Sequence, residues 1–116
     1  KLLPVRKLAP TIVDAPLPSL SLIITAHNEA GRIREKLDNT LLIDYPAELL
    51  EIIVASDFST DETDAIVESY AERGIRLVRA DQRKGKEYAQ LCAIRVSKGE
   101  ILVFSDVATK IPADAL

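Results

Sequence analysis

Ser21-Leu22-Ile23-Ile24-Thr25-Ala26-His27-Asn28-Glu29-Ala30-Gly31 passes from an apolar run to a polar corner and straight into a helical pattern. The isoleucine-rich run suits a strand buried on both faces. Asn28 is a favourable N-cap, and Glu29 then falls in the first helical turn, where its charge meets the positive end of the helix dipole. In open α/β sheets ligands gather at the carboxyl ends of strands, beside such helix N-termini. Taken alone, the junction is equally an ordinary strand–loop–helix corner.

Working outward, the same alternation repeats. A strand over 20–25 precedes a helix over 29–41, with Ile33, Leu37 and Leu41 on one face. Ile52-Ile53-Val54-Ala55 reads as a second buried strand, closed by the turn formers Ser56-Asp57-Phe58-Ser59-Thr60-Asp61. Ser59 or Thr60 can cap a helix over 62–73 with Ile66, Val67 and Tyr70 inward, and Gly74 sits at its C′ position. A short strand over 75–79, flanked by arginines, belongs near a sheet edge. The charged loop 81–86 leads into a helix over 86–97 that buries Ala89, Cys92, Ala93 and Val96 and is ended by Gly99. Ile101-Leu102-Val103-Phe104 is the last strand. The order β-α-β-α-β-α-β, with crossovers this long, predicts a Rossmann-like, three-layer α/β/α architecture with a mainly parallel sheet.

Residues 1–19 differ. Prolines at 4, 10, 16 and 18 cannot donate to a ladder and restrict their predecessors, so this segment reads as an extended arm or linker. The chain starts at Lys1 and has no methionine, so we expect a piece of a longer protein: an arm over 1–19 and an incomplete α/β subdomain over 20–116.

Composition narrows the function. With 47% hydrophobic and 28% charged residues the chain is globular. A net charge of -3 argues against a nucleic-acid binder. The single cysteine, Cys92, excludes an internal disulfide, and one histidine, His27, excludes a histidine-cluster metal site. No apolar run reaches the roughly 18 residues of a membrane span.

Parallel strands would bring residues 25–29, 56–61, 79–86 and 105–109 to one rim. That rim would hold two strand-end aspartates (Asp57 and Asp106), the ring of His27, and the cations Arg83, Lys84 and Lys86. A nucleobase needs a flat surface and a carboxylate to accept its N–H; a diphosphate needs cations or a carboxylate-held metal. The set suits a nucleotide with a charged tail. Each residue also has a plain structural reading: Asp57 as a turn cap, Arg83 and Lys84 as a solvated loop, His27 paired with Asn28 or backbone. No G-x-G-x-x-G and no G-x-x-x-x-G-K-[ST] is present, which disfavours a dinucleotide fold and excludes a P-loop. No G-x-S-x-G elbow exists for hydrolysis.

Three segments in order and spacing resemble family 2 glycosyltransferases: Leu22-Ile23-Ile24-Thr25-Ala26-His27-Asn28-Glu29, Glu51-Ile52-Ile53-Val54-Ala55-Ser56-Asp57-Phe58-Ser59-Thr60-Asp61-Glu62-Thr63, and Gly99-Glu100-Ile101-Leu102-Val103-Phe104-Ser105-Asp106. Gly85-Lys86 matches the family's Gly-Lys before its third helix. The resemblance, over about 20–116, implies the nucleotide-sugar-binding half of a GT-A fold. It implies that Thr25, His27 and Glu29 cradle the nucleoside, with His27 where a tyrosine is usual and Glu29 toward the ribose. It further implies that Asp57 accepts from the base, that Arg83 and Lys86 lie near the diphosphate, and that Asp106 begins the Asp-x-Asp motif beside sugar and metal. The implied cofactor is a divalent metal, Mg or Mn. The implied partner is a nucleoside diphosphate sugar, most simply a UDP-sugar, in a protein at the cytoplasmic side of a membrane or in the cytoplasm.

The chain also departs from the family pattern. Ser56 stands for one of two aspartates, Phe58 for a glycine, Cys92 for an asparagine and Ala108 for the second aspartate of Asp-x-Asp. No residue matches the family's catalytic base. We therefore expect donor binding from an inverting glycosyltransferase in a chain that does not itself transfer sugar. The alternatives are a non-catalytic nucleotide-binding or interaction module of the same fold, or a receiver-like domain, against which residues 25–29 lack the required acidic pair. Self-association through an incomplete sheet is a further expectation.

Overall fold

The computed structural model of the chain describes residues 16–116, so the predicted arm, apart from 16–19, lies outside the described residues. Four strands, β1 (Leu20–Ala26), β2 (Leu50–Ser56), β3 (Ile75–Arg79) and β4 (Ile101–Asp106), form one sheet in the order β3-β2-β1-β4. Every pairing is parallel. The helices are α1 (Ile33–Thr40), α2 (Thr63–Glu68) and α3 (Lys86–Val96).

The apolar pattern sorts them into three layers. Leu22 and Ile24 of β1, with Ile52 and Val54 of β2, pack on Ile33 and Leu37 of α1 and on Val67 of α2. The alternate residues Ile23, Ile53 and Ala55 face the other way, onto Ala89 and Ala93 of α3. A strand packed on both faces needs apolar residues at successive positions, which explains the uninterrupted Leu22-Ile23-Ile24 and Ile52-Ile53-Val54 runs. Small alanines on α3 let that helix lie close to the sheet.

The strand order places a switch point between β1 and β4. From β1 the chain moves outward through β2 to β3, then returns to the far side of β1. Ligand crevices of open α/β sheets form at such points. Thr25 of β1 is in register with Asp106 of β4, and Ala26 with Ser56 of β2, so the strands end level.

Several predicted boundaries move. The first helix begins at Ile33 rather than 29, and Asn28 is not its N-cap. Asn28 has φ 50°, left-handed rather than the extended backbone of a cap, and its side chain binds a neighbouring loop instead. The second helix stops at Glu68 and is followed by a 3-10 turn, Ala71–Arg73, ending at left-handed Gly74 (φ 91°). Neither Ser59 nor Thr60 caps it: the Thr63 N–H donates to Asp61 Oδ1 at 2.9 Å. Of the residues assigned to the inner face of the third helix, Ala89 and Ala93 are buried, whereas Cys92 and Val96 are only partly so. That helix ends at Val96 without Gly99, whose role is close packing. A Cβ on Gly99 would lie 2.5 Å from the Ser21 nitrogen.

Candidate functional site

The rim at the carboxyl ends of the strands is built from backbone continuations of the sheet. Beyond β2, the Asp57 N–H donates to Ala26 O at 2.8 Å, and the Ala80 N–H donates to Ser56 O at 2.9 Å. These bonds carry the parallel ladder one step past the strands and fix where the loops leave.

The loops after β1 and β2 are joined by their side chains. Asn28 Oδ1 accepts from the Thr60 and Asp61 N–H groups at 2.7 and 3.3 Å. In return the Asn28 N–H donates to Ser59 Oγ, the Glu29 N–H to Thr63 Oγ1 at 2.8 Å, and the Ala30 N–H to Asp61 Oδ2. His27 Nδ1 lies 2.6 Å from Asp57 O. A carbonyl oxygen can only accept, so Nδ1 carries the hydrogen. Asp61 is held below the usual carboxylate range, chiefly by the Thr63 hydroxyl.

Thr25, His27, Asp57, Lys86 and Asp106 all stand at this rim, on the ends of β1, β2, β4 and the start of α3. Asp57 is buried, and its Oδ1 accepts from the Gly85 N–H at 3.3 Å, tying the 81–85 loop to β2. Arg32 donates from Nε and Nη2 to the Glu29 carboxylate, at 2.8 to 3.0 Å. Arg83 sits exposed in the 81–85 loop. There Tyr88 OH donates to Asp81 Oδ1, and the Lys84 ammonium lies 4.9 Å from the Tyr88 ring centre. The Asp81 bond and burial push the Tyr88 hydroxyl up to about 12. The plain readings of Asp57 and His27 as backbone partners therefore coexist with their place at the rim.

At the switch point, Lys86, Gln90, Phe104, Ser105, Asp106 and Thr109 line an open cavity of about 210 Å³. Gln90 of α3, one of its lining residues, donates to Thr25 Oγ1 at 3.2 Å. Asp106 Oδ1 accepts from the Thr109 N–H and hydroxyl at 2.9 and 2.7 Å. The Thr109 hydroxyl, with help from Lys36 and Lys86, holds the Asp106 carboxyl below its ordinary range. Behind it, Lys36 of α1 reaches Ser105 Oγ at 2.8 Å and also donates to Thr109 O. Burial lowers the Lys36 pKa, and Asp106 opposes that shift.

Sequence reasoning placed Thr109 at the rim without a role, and missed Gln90, Asn28 in its cross-loop role, and Lys36. For Lys36 a signal existed: it lies between Ile33 and Leu37 on the inward face of an amphipathic helix, where a charge needs a buried partner. Phe58, in a glycine-like conformation (φ 52°), lies under the Arg79 guanidinium at 4.3 Å. Among the described residues no three His, Cys, Asp or Glu side chains come together as a metal cluster, and no helix is long and apolar enough to cross a membrane.

Comparison with known proteins now adds to this geometry. Glycosyl transferase family 2 matches residues 21–114. Polypeptide N-acetylgalactosaminyltransferase 6 of Mus musculus is 40% identical over 95 residues, covering 78% of this chain and 15% of that protein. The mannosyltransferase PcManGT of Pyrobaculum calidifontis, solved with GDP-Man and Mn2+, superposes with a TM-score of 0.79 at 38% identity, over 85% of this chain and 30% of its own. S. aureus TarS 1-349 in complex with UDP-GlcNAc superposes at 0.73 with 26% identity, over 82% and 28% of the two chains. The chain thus spans less than a third of each of these proteins. A receiver-like domain is set aside by these matches.

Proposed function

The chain belongs to glycosyl transferase family 2, and from that we propose that residues 20–116 bind the nucleoside diphosphate sugar of an inverting glycosyltransferase. The observation that carries this function is the level ending of β1, β2 and β4, which gathers Thr25, His27, Asp57, Lys86 and Asp106 at the switch point of the sheet.

In this proposal His27 and Asp57 receive the base, and their hydrogen bonds to backbone preset both groups before the ligand arrives. Glu29 turns toward the ribose by releasing Arg32. Lys86 and Arg83 meet the diphosphate as flexible cations. Asp106 is ionised and immobilised by Thr109 next to the cavity. One carboxylate beside Ala108 does not make a resident metal site, but it fits a hard cation that keeps its other ligands from water and the diphosphate. Asp106 would hold that Mg or Mn ion, which when bound neutralises the leaving diphosphate.

The relatives name both UDP-GlcNAc and GDP-Man as ligands. We propose a UDP-sugar here. With Ala108 in place of an acid and no residue assigned as base, we expect binding without transfer by this chain. Isothermal titration of UDP and GDP, with and without Mn2+, tests it. Metal-dependent UDP binding that Asp57→Ala weakens about tenfold is expected, the loss of one hydrogen-bond acceptor for the base. No heat with either nucleotide at millimolar concentration would favour a non-binding module of the same fold.

A further inference from the structure

Lys36 is the one cation of the described residues that is buried, at 3% exposure, and it stands on the core face of α1 between Ile33 and Leu37. An ammonium in that position needs acceptors. It finds them in Ser105 Oγ and Thr109 O, the residues on either side of Asp106 and its turn. The same α1 holds the chain beyond: the Ile111 N–H donates to Asn39 Oδ1 at 3.0 Å, and Asn39 Nδ2 returns to Ile111 O. Thr109 is thus gripped through its carbonyl by Lys36, while its N–H and hydroxyl grip Asp106.

The geometry points to Lys36 as a positioning residue: a buried ammonium on α1 locks the 105–109 turn and thereby fixes the carboxylate of Asp106 toward the donor's diphosphate. This rests on the donor-binding function proposed above. The element doing the positioning belongs to the opposite layer from α3, so the turn that carries Asp106 is anchored from the α1 side of the sheet while Asp106 itself faces the cavity. Where Ala108 withholds a second carboxylate, the placement of the remaining one matters more.

The test compares the chain with Lys36→Met, which keeps the length and removes the charge. Amide hydrogen exchange read by NMR and titration with UDP plus Mn2+ are the two measurements. A charge-assisted hydrogen bond lost from Thr109 should speed exchange of the Thr109 amide by about tenfold or more, and weaken nucleotide binding by a similar factor. Exchange at Ile23 and Val54, in the sheet, should change much less. If Lys36→Met fails to fold, Lys36→Gln, which removes the charge and is too short to span from α1 to both Ser105 Oγ and Thr109 O, replaces it in both assays. Thr109 exchange within twofold of the parent, or acceleration no greater than in the sheet, would overturn the proposal. So would unchanged nucleotide affinity in a folded variant. If the parent chain binds no nucleotide, donor binding fails, while Thr109 exchange still decides the part played by Lys36.

Discussion

Asn28 shows how one side chain can serve a purpose its local sequence disguises. Before a helical pattern, asparagine reads as a cap, yet its left-handed backbone and bonds to Thr60 and Asp61 make it a brace between loops. Nothing local reveals a partner more than thirty positions away, which is why the sequence suggests a cap that does not form and hides the brace that does. Asn28→Ala removes both bonds and adds left-handed strain, so we expect a loss of about 2 kcal/mol in urea unfolding. Asn28→Gly should lose about 1 kcal/mol less, because glycine tolerates the backbone. Asp61 gives a pH test. Its pKa lies below the ordinary value of 3.8, first through the Thr63 hydroxyl. A lowered carboxylate pKa contributes stability above the unfolded value that is lost as pH falls through the folded one. The stability gap between the chain and Asp61→Asn should therefore hold steady above pH 3.8 and close below it; a gap unchanged in acid would contradict this role.

At the scale of elements, the strands were the legible part. The apolar runs of β1 and β2 are short and buried on both faces, so composition alone marks them, and the arginines around β3 mark its edge position. The helices were less legible at their ends, because several local polar groups compete to mark them: Asp61, not Ser59 or Thr60, accepts from the Thr63 N–H where α2 starts, and the Ser69 hydroxyl bonds back to Ile66 O where it stops. Gly99 looked like a helix terminator but is a packing residue between β4 and β1. Its N–H donates to Ser21 Oγ at 2.8 Å, and a methyl there would press on Ser21 backbone. Backbone cannot yield as a side-chain tip can, so Gly99→Ala should cost about 2 kcal/mol or more by denaturant unfolding. A cost under about 0.5 kcal/mol would mean that β1 and β4 separate easily.

For the whole molecule, topology does what no single motif does. The order β3-β2-β1-β4 puts the most buried strand in the middle and its polar corner at the switch point. The sequence motifs around Thr25, Asp57 and Asp106 were readable because strand ends are where such a sheet carries its chemistry. The inner support by Lys36, Gln90 and Thr109 was not, since it joins layers distant in sequence. The β4 edge exposes Ile101 and Phe104 at 46% and 47%. We propose that the chain self-associates there, with sedimentation shifting to monomer on Phe104→Lys; an unshifted monomer at high concentration would refute it. The position of a bound nucleoside diphosphate decides between a donor site and an inert fold. Titrating UDP and Mg2+ into the ¹⁵N-labelled chain reads that position amide by amide. The predicted shifts cluster at Thr25, His27, Glu29, Asp57, Lys86 and Asp106, leaving Glu51, Lys98 and Gly99 at the opposite end of the sheet still. Shifts concentrated at that opposite end, or none at all with saturating ligand, would contradict it.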